Sequence, residues 1–292
     1  MTAALCLDLG GTNFRAALAQ VGREGDAAAL GHWPASEDLA SFQRLVAGLI
    51  DAHTVSRVGI AVPGLASGST CLWAPNLPYL DGQDLALVFP GTTVTLGNDA
   101  HFALLAEAAL GAARDAADVI LLAIGTGIGS AVLADGRIVH GSGGAAASFG
   151  WACVDPADAG DDVRGWLERN AAGTTLDAIA RRAGLKDGRA LIAAARAGDG
   201  AALEGLEKPS AALGAAIAGA VALLGSRSVI VSGGVAEGID VLRPLILRVL
   251  ERQLPPHLRA IALGPAQFGA RSSLVGAGLA AHGHPFWTER RR

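Results

Sequence analysis

The stretch Leu5-Cys6-Leu7-Asp8-Leu9-Gly10-Gly11-Thr12-Asn13-Phe14-Arg15-Ala16-Ala17-Leu18 constrains the fold more than any other. An apolar run alternates into Asp8, a Gly-Gly-Thr turn follows, and a second alternating run leaves it. This predicts two strands joined by a tight hairpin. The paired glycines can take backbone angles closed to other residues and let a ligand approach the main chain closely. Exposed N–H groups beside a threonine hydroxyl suit phosphate oxygens, and the carboxylate of Asp8 suits a magnesium ion that keeps its waters. A plain turn needs only one glycine and no acid. The pattern then returns over 119–133, where Ile124-Gly125-Thr126-Gly127-Ile128 joins two apolar runs. Asp135-Gly136 is a two-residue hairpin signal, with a third strand expected at 137–140; Gly22-Arg23-Glu24-Gly25 is the matching turn of the first copy. Two such units predict duplicated halves facing each other across a nucleotide.

A chain of 292 residues, 51% hydrophobic and 17% charged, with a mean hydropathy of +0.39, can bury a large core and is not a disordered sequence. Its net charge of −4 argues against a nucleic-acid surface, which needs clustered cations. The one dense basic run, Arg290-Arg291-Arg292, reads as a solvated tail. Cys6, Cys71 and Cys153 have no spacing for zinc or disulfides, which fits a reducing cytoplasm. No secretory leader is expected, because Asp8 interrupts the first apolar run. The most apolar segment, 211–225, is read as a tightly packed helix too short to span a membrane. Lys186 and Lys208 are the only lysines, so a phosphate-loop lysine is excluded from most of the chain.

Between and after the two hairpins the pattern alternates strand and helix. A helix over 37–53 with Ser36 as N-cap precedes a strand over 55–62 that ends at Pro63-Gly64. Trp73-Ala74-Pro75-Asn76-Leu77-Pro78 has the composition of a pocket-lining loop, and 84–89 of a short helix. A strand over 93–96 runs through Gly97-Asn98 to Asp99, and a helix is expected over 100–113. Asp99 is read either as that helix's N-cap or as a carboxylate at the C-terminal edge of a strand, where ligands of open α/β sheets bind. In the second role it would accept a hydroxyl proton during phosphoryl transfer. Helices are expected over 163–170, 175–183, 188–197, 200–207, 241–253 and 273–282, with strands at 229–235 and 260–263. Gly233 and Gly234, after the 229–232 run, suit either a flat ligand such as adenine lying against the backbone or merely the close packing of a helix.

These elements, in this order, resemble the ROK family of bacterial sugar kinases, within the sugar kinase/actin/heat-shock ATPase superfamily, from residue 4 to about residue 280. Asp8-Leu9-Gly10-Gly11-Thr12-Asn13 is similar to the family's first phosphate motif, Gly125-Thr126-Gly127-Ile128-Gly129 to its second, Val231-Ser232-Gly233-Gly234 to its adenosine segment, and Asn98-Asp99-Ala100 to the position of its catalytic base. The resemblance implies an α/β, two-lobed actin-like ATPase (ribonuclease H-like) fold with duplicated domains around a central cleft. The lobes are expected at 1–112 and 113–270, with 271–292 a helix packing back on the first. It implies ATP and Mg2+, and transfer of the γ-phosphate to a sugar hydroxyl, most often at C6. Asp99 is the implied base. Asp8, Gly10, Gly11, Thr12, Asn13, Gly125, Thr126, Gly127, Gly233 and Gly234 are the implied nucleotide set, with Asp8 holding magnesium through water. Gly64, Asn76, Asn98, Asp99, Ser148, Trp151 and Glu168 are the implied sugar set.

The match departs from the family at one place. Where the family has Glu-x-Gly-His, this chain has Ser148-Phe149-Gly150-Trp151, and the cysteine-rich zinc loop is missing from 159–165, so no zinc is expected. A hydroxyl and an indole in place of a carboxylate and an imidazole change which sugar hydroxyls are read. The leading expectation is phosphorylation of the C6 hydroxyl of glucose or a related hexose, and the alternatives are an aminohexose or a sugar-like cyclitol. Readings of another class are a non-catalytic sugar sensor and a ROK-type repressor lacking its DNA-binding module. A dinucleotide fingerprint at 125–129 is rejected, because it requires a helix directly after the turn and 130–133 alternates as a strand. A small-molecule sugar partner, no nucleic acid, no membrane and a homodimer complete the expectation.

Overall fold

Alternation in the first residues produces an antiparallel meander, β1 (Ala3–Leu9), β2 (Asn13–Gln20) and β3 (Ala28–Pro34). The computed structural model describes residues 3–287, and Arg290-Arg291-Arg292 lies outside the described residues. There follow α1 (Leu39–His53), β4 (Arg57–Val62), β5 (Leu65–Ser67), β6 (Thr70–Trp73), α2 (Leu85–Val88), β7 (Thr93–Asn98) and α3 (Asp99–Leu110). The pattern restarts with β8 (Val119–Ile124), β9 (Ile128–Ala134) and β10 (Arg137–Ile138), then α4 (Trp166–Ala171), α5 (Gly173–Arg182), α6 (Gly188–Arg196) and α7 (Gly200–Leu224). It closes with β11 (Ser228–Ser232), α8 (Ile239–Gln253), β12 (Ala262–Pro265) and α9 (Ser272–Ala281).

The chain divides into two units. The first comprises 1–114, 136–146 and 270–292, and the second 115–135 and 147–269. This division differs from the sequence-based one by the excursion 136–146, which carries His140 onto His101, with ring centroids 5.6 Å apart. In the first unit β2-β1-β4-β7 are neighbours, β1 antiparallel to β2 and parallel to β4, with β4 parallel to β7. In the second unit β9-β8-β11-β12 repeat that arrangement, antiparallel then parallel twice. The duplication read from the two turns therefore extends to strand order.

The core of the first unit holds Leu5, Leu7, Leu9, Phe42 and Ile60, with Phe42 edge-on to Phe14 and Phe89. The other face of its sheet is covered by α3 and α9, whose small residues permit backbone contact. A Cβ on Gly59 would strike the carbonyl of Ala277, and one on Gly276 would strike that of Phe102. The second unit's core gathers Leu122, Leu176, Leu206, Leu213, Ile217 and Ile246.

Several local expectations need correction. The cap of α1 is Asp38, not Ser36: Asp38 accepts from Ser41 N at 2.7 Å in a capping box that starts the helix at Leu39. Helix α3 begins at Asp99 and stops at Leu110, where the Glu107 carboxylate turns back to accept from Ala112 N at 3.0 Å. The third strand of the second meander is only two residues long. The segments read as separate helices at 200–207 and 211–225 are one 25-residue helix that runs through Pro209. That length and its mean hydropathy of 1.2 suffice to cross a membrane, but 56% of the most apolar window is buried inside the protein, as in a core helix.

Two glycines inside helices separate propensity from packing. Gly219 on α7 has open space where a Cβ would go, so Gly219→Ala should stabilise the protein by about 1 kcal/mol. Gly276→Ala gains the same propensity yet should destabilise by about 1–3 kcal/mol net, because the methyl group has no room. Urea denaturation measures both, and opposite signs are expected.

Candidate active site

In the first unit, the parallel strand β7 ends at the start of α3, and the free backbone N–H groups of that helix need acceptors. Asn98 supplies one: its side-chain oxygen accepts from Ala100 N at 2.9 Å and from His101 N at 3.3 Å. Its amide nitrogen donates to the carbonyl of Gly64 at 3.0 Å, tying the β4–β5 turn to the helix. The capping role considered for Asp99 therefore belongs to its neighbour. Asp99 makes one local bond, accepting from Ala100 N at 2.8 Å. Burial, and secondarily the negative charge of Asp8, push the Asp99 carboxyl up from 3.8 to about 7, against the opposing effect of backbone hydrogen bonds.

Asp8 stands directly opposite Arg15 across the β1–β2 pair. It is buried, and one of its oxygens is ion-paired with the Arg15 guanidinium, whose other arm donates to Ala270 O at 2.7 Å. Past Asp8 the chain turns at Gly10, whose N–H donates to Asn13 O at 2.9 Å, leaving Gly11, Thr12 and Asn13 exposed. Neither Gly10 nor Gly11 adopts a left-handed conformation. Gly11 is required for close approach instead: a Cβ there would lie 2.8 Å from the Cβ of Asn76. Asn76 thus sits against the turn, and Gly64 lies against the Trp73–Ala74 backbone. Asp8, the 10–13 turn, Asn76, Gly64, Asn98 and Asp99 form one constellation within this unit.

The second unit builds its turn in the same way. Gly125 N donates to Gly127 O at 3.0 Å, again without left-handed glycines. Gly125 O accepts from Gly173 N at 2.8 Å, and Thr126 O accepts from the Thr174 hydroxyl at 3.1 Å, so the first turn of α5 holds the loop. Glu168 holds it from α4, accepting from Ile128 N and from Arg164 Nε, each at 3.1 Å. Gly150 packs on the carbonyl of Ile128 near that carboxylate. Ser148 is exposed and Trp151 is half exposed at 52%. The Ser130 hydroxyl donates to Ala147 O and accepts from Phe149 N, which fixes the loop that presents them. Gly233 is left-handed at φ +80° and lies against Ile124, while Gly234, itself exposed, begins a turn of 3-10 helix.

Sequence reasoning missed Arg15, Arg164 and Thr174, which position site residues through contacts. Of these, Arg15 was accessible: a four-residue loop between Leu9 and Phe14 places residues 8 and 15 opposite each other. Among the described residues no group of three or more His, Cys, Asp or Glu side chains is arranged to hold a metal ion.

A family model described as the ROK family matches residues 4–284. The bifunctional enzyme NanE/NanK of Brucella melitensis is 33% identical over 95% of this chain and 54% of its own length. The chain thus spans about half the length of the first curated relatives it matches. The kanosamine kinase of Amycolatopsis mediterranei is 31% identical, covering 85% of this chain and 86% of the relative. Among solved structures, the ROK hexokinase of Thermus thermophilus superposes with a TM-score of 0.80 at 27% identity, covering 96% of this chain and 98% of the other. The architecture is the two-lobed, actin-like α/β fold expected from the motifs.

Replacing Asn98 tests the cap. Asn98→Ala should cost about 1–2 kcal/mol in urea denaturation. Asn98→Asp keeps an acceptor for the two N–H groups and should cost less. Equal losses would show that the bond to Gly64, rather than the cap, carries the contribution.

Proposed function

The chain belongs to the ROK family, and from that premise we propose that it is an ATP-dependent sugar kinase acting on a hexose hydroxyl. The observation that carries this reading is the state of Asp99. It is relieved of capping by Asn98, sits at the C-terminal edge of a parallel strand, and has a proton affinity near neutrality. A general base works best when its pKa lies close to the working pH. Asp99 accepts the proton of the sugar hydroxyl as the oxygen attacks the γ-phosphorus. The bond from that phosphorus to the β–γ bridging oxygen breaks, and ADP leaves with the electron pair. Asp99 then returns its proton to solvent.

Residues 10–13 and 125–127 present backbone N–H groups to the phosphates, and Gly233 and Gly234 take the adenosine. The Asp8 oxygen that Arg15 leaves without a hydrogen bond among the described residues suits a hydrated cation. Asp8 would thus hold magnesium, which when bound offsets phosphate charge. Gly64, Asn76 and Asn98 of the first unit, and Ser148 and Trp151 of the second, are each assigned to sugar recognition, the exposed indole being suited to stack on an apolar sugar face. Glu168 serves both turn and sugar, since a carboxylate offers about four lone-pair sites and two are used.

Glucose or a related hexose, phosphorylated at C6, is the leading substrate. An aminohexose is the second reading, favoured by the 31% identity to a kanosamine kinase over 85% of the chain and by Ser148 and Trp151 in place of the family's usual carboxylate and imidazole.

Asp99→Asn should lower turnover by about 10²–10⁴-fold and leave sugar binding unchanged in calorimetry. A coupled assay with ATP over glucose, mannose and aminohexoses identifies the substrate. Full activity in the Asp99→Asn protein would overturn the assigned base.

A further inference from the structure

Arg57, on β4, lines a cavity of about 680 Å³ wholly inside the first unit. That volume falls within the range of small-molecule sites. Arg57 is half-buried and makes one hydrogen bond, to Ala281 O at 3.2 Å; among the described residues it has no ion pair. A guanidinium carries five N–H donors, so most of its capacity is unused by protein. Removing such a charge from water is costly without an anionic partner. Among the described residues no aspartate or glutamate lines the cavity.

The remaining walls are of two kinds. The hydroxyls of Thr93 and Thr95 come from the edge strand β7, with His101 and His140 beside them. Burial, and then His140, hold His101 down at about 4, so it is a neutral polar group at physiological pH. Trp287 forms an aromatic wall, its ring 4.6 Å from His140 and 4.6 Å from Phe102. It also sits against Gly97, where a Cβ would lie 2.6 Å from the indole. Among the described residues, one guanidinium, one indole and several hydrogen-bonding groups surround a space large enough for a monosaccharide.

We infer that this cavity is a second binding site, for a sugar bearing a phosphate or carboxylate group, with the anion on Arg57 and the ring against Trp287. The site differs from the proposed catalytic one in that Asp8, Asp99 and the 10–13 turn do not line it, although Asn98 belongs to both. An occupant presses on Gly97 and Asn98, the two residues before Asp99, and so acts on the cap of α3. Binding stands or falls independently of phosphoryl transfer.

Calorimetry on the full chain without ATP tests it, with glucose 6-phosphate, glucuronate, glucose and inorganic phosphate as probes. At least one anionic sugar should bind, at least tenfold tighter than glucose or inorganic phosphate. Which of the two binds tells a phosphate from a carboxylate ligand. Arg57→Gln should weaken that binding at least tenfold while turnover with a neutral sugar persists, and Asp99→Asn should leave it within twofold. Because Arg57 also anchors α9, Trp287→Phe provides a second readout, made in a Trp151→Phe background so that the proposed catalytic site is silent: binding should change tryptophan fluorescence with Trp287 present and not after Trp287→Phe. The inference is overturned if neither anionic sugar binds, if Arg57→Gln binds like the wild type, if Asp99→Asn abolishes binding, or if the fluorescence change survives Trp287→Phe in that background.

Discussion

The first unit depends on how one helix end is satisfied. The N-terminus of α3 exposes N–H groups that some acceptor must take, and two adjacent residues, Asn98 and Asp99, both have a suitable side chain. Asn98 takes that of His101, shares that of Ala100 with Asp99, and uses its amide hydrogen to hold Gly64, so a single side chain fixes the strand end, the turn after β4 and the start of the helix. Asp99 is left with its carboxyl largely uncommitted in a dense environment near Asp8. A group that had to cap the helix would be held as a carboxylate by those N–H bonds. A group released from that duty, and desolvated, holds its proton more tightly.

The same economy appears in the two turns. Each closes with a glycine N–H donating back across the loop, and each is pinned by side chains or backbone from outside the hairpin. The glycines matter there because other groups lie where side chains would be, as with Asn76 at Gly11 and Glu168 at Gly127. Close backbone approach also joins α9 to β4 and α3, through Gly59 and Gly276. Small residues are the means by which this alanine- and glycine-rich chain brings its backbones together.

What was legible in the sequence was the local pattern. Period-two alternation around Asp8 and around Gly125 located β1, β2, β8 and β9, and the strand–helix alternation located most of the rest. Features that depend on distant partners were not legible. The capping box of Asp38 competed with an equally plausible Ser36, and only the helix start decides between them. The sequence separated 200–207 from 211–225, yet tertiary packing carries α7 through Pro209 as one helix. The commitment of Glu168 to Ile128 and Arg164 requires knowing that α4 lies against the second turn. Arg57 and its cavity bring together β4, β7, the 136–146 excursion and the segment after α9, which no local window contains.

The account rests on Asp99 having to lose its proton before a sugar hydroxyl can react. Its carboxyl is raised from 3.8 to about 7, so the active, ionised form declines as pH falls through that value. The pH dependence of kcat/KM, measured with a saturating nucleotide and the best sugar, tests this most directly. The expected profile is level above about pH 7 and falls tenfold per unit below it. A profile that stays level down to pH 5, as for an ordinary exposed carboxylate, would contradict the assignment.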